Sequence, residues 1–162
     1  MIKETVDESL GKKKKETKKT AVEIKINAFI GDDYVADEAV KFALYRKISD
    51  IMSAEDADDI RDEMRDRFGN IPTECENLIR ISYARAIAGE AGVSVIREEK
   101  GNIVLLFPNP DLSCVSRGTE KLRDKCIITA GTSFAAVLKT KGLVDAEKLN
   151  ILLLFLESLK KQ

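Results

Sequence analysis

Histidine is absent from all 162 residues, and so is tryptophan. Without an imidazole the chain lacks the side chain most used for proton transfer near neutral pH and for zinc. That excludes Ser-His-Asp and Cys-His sites, HExxH helices and His-bearing zinc fingers, whereas the missing tryptophan decides nothing. The three cysteines, Cys75, Cys114 and Cys126, are odd in number and contain no CxxC pair. This argues against a disulfide framework or zinc cluster and for reduced thiols acting as small apolar side chains in a cytosolic protein. Nine glycines supply neither GxGxxG nor GxxxxGK[ST], so no phosphate cradle is expected. There is no GxSxG elbow either, and Thr132-Ser133 after Gly131 reads as a hairpin turn. The longest apolar run is residues 151–156, far short of the roughly 20 needed to span a membrane. No apolar signal segment follows the lysine-rich start.

Charge of one sign is also missing: 27 Lys plus Arg against 28 Asp plus Glu leaves a net charge of −1. No overall field steers the molecule toward nucleic acid or anionic lipid, so only local patches matter. What is present, 44% apolar and 34% charged residues in 18.0 kDa, suits one soluble, cytoplasmic globular domain with a modest core.

Residues 2–10 read as a short helix ending at Gly11. Residues 12–19, with six lysines and one glutamate, have too little apolar surface to offset chain entropy and read as a solvated linker. From Val22 the alternation Val22, Ile24, Ile26, Ala28 predicts a half-buried strand. A helix capped by Asp37 follows to about Met52, with Val40, Leu44, Ile48 and Ile51 inward. Ser53 caps a second helix, whose row Ala57, Ile60, Met64, Phe68 ends at Gly69. A third opens at Pro72-Thr73, with Thr73 and Glu76 in capping-box spacing, and carries apolar residues on more than one side to Gly92, as the buried centre of the three would. Residues 93–97 and 103–107 read as a hairpin, residues 111–125 as a weak helix broken by Gly118, and residues 126–129 and 133–139 as two short strands. A last helix, capped by Asp145, turns Leu149, Leu152, Leu153, Leu156 and Leu159 to one face. The expected fold is α+β: a helical group packed on a small, mainly antiparallel sheet and closed by the C-terminal helix.

The second helix is the most informative segment. At 100° per residue with Ile60 at 0°, its core row lies within about 80°, while Glu55, Asp59, Asp62, Glu63 and Asp66 fall between about 200° and 300°. Like charges at i, i+4 oppose one another, and only the first turn gains from the helix dipole. Asp62, Glu63 and Asp66 sit at the unfavourable end, which an external cationic partner would explain. The competing reading is a solubilising face screened by Arg67. A calcium loop or an acid/base pair is discounted, because a helix lacks the turn glycine and backbone oxygens, and exposed carboxylates lack the burial that raises a pKa. The lysine run, with Arg46 and Lys47, offers an alternative function as a small nucleic-acid-binding module; it lacks aromatic interleaving and arginine forks, leaving only non-specific phosphate contact.

Taken together, residues 26–35 (INAFIGDDYV), 44–48 (LYRKI), 63–72 (EMRDRFGNIP), Asn77-Leu78 and 88–93 resemble the C-terminal domain of the bacterial transcription-repair coupling factor over residues 22–107. The DRFG-x-x-P element after an acidic helix is the most specific piece. The family usually shows proline where Gly31 stands and arginine where Lys41 stands. The resemblance implies a parent that is an ATP-dependent double-stranded DNA translocase of nucleotide excision repair, cytoplasmic and nucleoid-associated in bacteria. Residues 1–21 would be the link from its motor, and residues 22–162 a regulatory domain without catalytic motifs or cofactor, ATP and magnesium belonging to the motor alone. It further implies that this domain packs on the parent's UvrB-like N-terminal module and masks the UvrA-binding surface until RNA polymerase and DNA are engaged. The fragment itself would bind DNA weakly or not at all. Of the acidic flank, Glu63 and Asp66 would face arginines on that module, with Asp59 and Asp62 beside them.

Overall fold

The alternation that begins at Val22 forms only a three-residue ladder. In the computed structural model, which describes residues 20–131 and 133–159, β1 is Ala21–Glu23 and pairs in parallel with β2, Val95–Glu99. Beyond Glu23 the chain stays extended with even-numbered residues inward, but its polar groups find partners off the sheet. The Lys25 N–H donates to the Glu98 carboxylate (2.9 Å), the Asn27 N–H to Asp145 (3.1 Å), and the Phe29 N–H to the Glu74 carbonyl (3.2 Å). The buried Asn77 amide donates to the Asn27 carbonyl (2.9 Å). Satisfying the backbone by side chains is what lets this segment leave the ladder.

Helix α1, Glu38–Ser49, begins at Asp37, whose carboxylate accepts from the Ala39 and Val40 N–H groups, and buries Leu44 and Ile48. It stops three residues before the predicted end, and Ile51 is buried in the link that follows. Helix α2, Ala54–Phe68, starts at Ser53, whose hydroxyl accepts from the Asp56 N–H, and ends at Gly69 with φ +89°, a region closed to most side chains. Helix α3, Thr73–Glu90, is the buried centre, contacting α1, α2 and the last helix. Its capping box does not form. Pro72 holds the N-cap position without a side-chain bond, and Glu76 instead accepts the Arg61 guanidinium at 2.6–3.0 Å. A bidentate charged bond outcompetes a reach back to one backbone N–H.

Strand β3, Asn102–Phe107, closes a hairpin with β2; β4, Cys126–Ala130, and β5, Phe134–Leu138, form a second hairpin, and β5 pairs with β3. The order is β1-β2-β3-β5-β4, antiparallel except at β1. Helix α4, Leu112–Leu122, runs unbroken through Gly118, contrary to the predicted break. A Cβ there would lie 2.5 Å from the Phe155 ring, so the glycine serves close helix crossing. Helix α5, Asp145–Leu159, buries Leu149, Leu152, Phe155, Leu156 and Leu159. Phe155 takes the inward place expected for Leu153, which is half-buried. One core joins Ile96, Ile103, Leu105 and Leu138 of the sheet to α1–α5. Among the described residues no helix is long and apolar enough to cross a membrane. The segment 2–11 and the lysines of 12–19 lie outside the described residues.

Candidate docking surface on the second helix

The pose of α2 is fixed at its C-terminal end. Tyr34 packs against Phe68 with ring centroids 5.6 Å apart and the planes tilted by 59°, and its hydroxyl donates toward the carbonyls of Met64 (3.3 Å) and Gly69 (3.0 Å). A side chain from the 31–35 turn thus ties that turn to the end of α2. The Ile30 N–H donates to the Tyr45 hydroxyl at 2.9 Å. Lys41 of α1 pairs with Asp32 of that turn and with Glu38 of its own helix. The residues shared with the family motif therefore build a joint, and that joint presents the acidic flank.

The flank is divided. Glu63 is half-buried and already held inside the chain. The Lys47 ammonium sits 2.9 Å from both its oxygens, and Arg67 reaches it at 3.0 Å from one turn further along while its guanidinium lies over the Phe68 ring. The Lys47 bond, aided by Arg67 against a smaller opposing effect of burial, keeps the Glu63 carboxyl below its ordinary pKa. Asp62 is exposed and meets Arg65 at 3.3 Å. Arg61 bridges Asp58 on its own helix and Glu76 on α3. Asp59 and Asp66 are exposed, and their carboxylates make no hydrogen bond or ion pair among the described residues. They lie seven residues apart, about 10 Å along one side of the helix.

Beside Asp59 a shallow groove of about 320 Å³ opens between α1 and α2, floored by Ile51 and Ile60. Its rim carries Asp50, Asp56, Asp59 and Glu63 against Lys47 alone. An apolar floor under carboxylate walls matches a side chain with an aliphatic stem and a cationic head, as in Arg or Lys. Periodicity found Asp59, Asp62, Glu63 and Asp66 but not Lys47, Asp50 or Asp56. Lys47 and Asp50 come from α1 and the α1–α2 link, and only tertiary packing brings them there. Of the basic residues set aside for nucleic acid, Lys47 is neutralised by Glu63 and Arg46 is exposed. Cys75 and Cys126 are buried and Cys114 half-buried, all as free thiols. Among the described residues no group of three or more metal-ligating side chains is gathered.

The profile of the TRCF domain matches residues 24–115, more than half of the chain. The chain belongs to the TRCF domain family. Its curated relatives are transcription-repair-coupling factors: that of Bacillus subtilis (strain 168) is 30% identical over 106 residues, covering 65% of this chain. Those of Staphylococcus haemolyticus (strain JCSC1435) and Staphylococcus aureus (strain USA300) are 30% and 28% identical over 124 and 141 residues, covering 75% and 86%. The chain spans only 9–12% of the length of these relatives. A crystal structure of the C-terminal domain of transcription-repair coupling factor matches with a TM-score of 0.80 at 23% identity, covering 88% of this chain and 93% of that one. At that identity the match shows the fold, and it confirms the α+β expectation.

Proposed function

We propose that this TRCF domain is a non-catalytic, autoinhibitory interaction domain. Residues 22–162 would form the regulatory unit and residues 1–21 the link from the motor, with no cofactor of its own. Its acidic α2 flank docks on a cationic surface of the parent's UvrB-like N-terminal module, covering the UvrA-binding surface until RNA polymerase and DNA are engaged. The observation that carries this reading is the pair of unpartnered carboxylates, Asp59 and Asp66, on either side of Glu63 and next to an acid-rimmed groove.

The division of the flank refines the roles. Asp66 and Asp59 are ready to accept a guanidinium, whereas Glu63 must exchange Lys47 and Arg67 for a partner's cation. Exchange of one exposed ion pair for another yields little net free energy, about 0–1 kcal/mol. Such a contact is weak and reversible, as a latch must be if a competitor that binds only the open state is to release it. The reading is tested by titrating the domain with the isolated N-terminal module and repeating with a Glu63→Ala, Asp66→Ala double variant. A several-fold loss of affinity is expected; equal affinity removes the latch.

A further inference from the structure

One end of the sheet is basic. The β2–β3 turn carries Lys100, β5 runs out through Lys139 to Lys141, and β4 is entered from Arg123 and Lys125. The topology draws these five cations together. Lys141 packs beside Gly101, where an added Cβ would lie 3.0 Å from the Lys141 Cγ, and the Lys139 N–H donates to the Lys125 carbonyl at 2.8 Å. All five are exposed, and their side chains form no ion pair among the described residues. Of the carboxylates beside them in the chain, Glu99 is held by Arg97 at 2.5 Å, which leaves Asp124.

Three placements in this cluster work against the stability of the fold. Lys125 and Lys139 stand directly opposite one another where the β4–β5 ladder continues past Cys126 and Leu138, and like charges so placed repel. Lys100 opens a two-residue turn at φ +54°, a position that asparagine, aspartate or glycine takes more readily. Arg123 ends α4, also at φ +54°, where glycine is the ordinary residue. These two are the non-glycine residues with positive φ among those described. Both are cations, and both lie at this end of the sheet. Local rules broken together at one place point to a ligand there.

We infer that this end of the sheet binds the phosphodiester backbone of a nucleic acid. From β2 through β3 and β5 to β4 is three strand spacings, about 14 Å, which matches about four successive phosphates along one strand of a duplex. A protein partner fits less well. The five residues enclose no apolar centre, and four of them are lysine, the residue that protein interfaces avoid. With one arginine and no aromatic ring among them, they have little with which to read a base edge or stack on one. The contact is therefore with phosphate and independent of sequence.

The test is fluorescence anisotropy of a labelled DNA duplex, and of a single-stranded RNA of the same sequence, titrated with the full chain at several salt concentrations. Binding of micromolar strength or weaker at physiological salt is expected, tightening steeply as salt falls; the arm that binds more tightly identifies the nucleic acid. A Lys125→Gln, Lys139→Gln, Lys141→Gln variant should bind about tenfold more weakly at low salt, with its log–log salt slope flattened by about three. It should melt no lower than wild type, since it relieves the Lys125–Lys139 repulsion; a lower Tm would show that these lysines serve the fold and overturn the proposal. Failure of wild type to bind either nucleic acid overturns it too. So does unchanged affinity in this variant with loss in Lys12→Gln, Lys13→Gln, Lys14→Gln, Lys15→Gln, which assigns the binding to the lysine run. Sedimentation is the last arm: self-association abolished by the first variant, without nucleic-acid binding, assigns the cluster to an acidic protein surface and overturns the proposal.

Discussion

Substituting alanine at two helical glycines should change stability in opposite directions. At Gly118 an added Cβ would lie 2.5 Å from Phe155 Cε1, 2.8 Å from its Cδ1 and 3.1 Å from Leu159 Cδ2. Carbon atoms settle at 3.5–4.0 Å, so the nearest contact is about 1 Å too close, and Phe155 and Leu159 are 0% and 2% exposed with nowhere to retreat. Overpacking of this kind costs about 1–3 kcal/mol, and the fit here calls for the upper half of that range. Replacing a helical glycine returns about 1 kcal/mol through propensity. The net loss for Gly118→Ala is about 1–2 kcal/mol, or a fall in Tm of roughly 2–8 °C for a domain of this size. At Gly89, near the end of α3, the nearest atom to a new Cβ is the Thr20 hydroxyl at 3.6 Å, an ordinary contact. There the propensity gain stands alone and Gly89→Ala should stabilise by up to about 1 kcal/mol. Urea denaturation followed by far-UV circular dichroism measures both. Equal signs, or a Gly118→Ala variant as stable as wild type, would refute the assignment of Gly118 to the α4–α5 crossing.

Two further outcomes are expected. Glu98 and Lys148 pair at 3.0 Å with side chains only 7% and 12% exposed; burial alone would raise the Glu98 pKa, but the Lys25 N–H and Lys148 together hold it below its ordinary value. Because the folded pKa is depressed, the pair stabilises above the unfolded carboxyl pKa of about 4.3 and that contribution fades as pH falls through the folded value. Glu98→Gln should therefore cost about 3 kcal/mol at neutral pH, and the gap to wild type should narrow on acidification; a gap independent of pH would contradict the pairing. In native protein a thiol reagent such as DTNB should label Cys114 first. Cys126, its thiol pushed up to about 11 by burial, and Cys75, raised chiefly by burial as well, should react only on unfolding; three fast thiols would show that the core opens readily.

The helices were legible because their apolar rows recur at 3.6-residue spacing and their ends carry Asp37, Ser53 and Gly69, whose roles are local. The parallel seat of β1 was not: Ala21 pairs with Val95 across more than seventy residues, and alternation says which side chains point inward without saying what they meet. Gly118 misled for a related reason, since a glycine demanded by a crossing partner looks the same in sequence as a glycine that ends a helix. Likewise Thr73 and Glu76 have capping-box spacing, but Arg61 from the preceding helix claims Glu76. At the candidate site the acidic stripe followed from angular position alone. Its division into held and open carboxylates depends on Lys47, which helix packing places opposite Glu63.

On the proposed reading, the open carboxylates of α2 hold a cationic surface of the parent. Calorimetric titration of this domain with the UvrB-like N-terminal module, at low and at physiological salt, for wild type and for Asp59→Asn, Asp66→Asn, tests it most directly. Wild-type affinity should fall as salt rises, and the double variant should bind several-fold more weakly at low salt with a flatter salt dependence. Identical affinities and salt slopes for the two proteins would contradict the account.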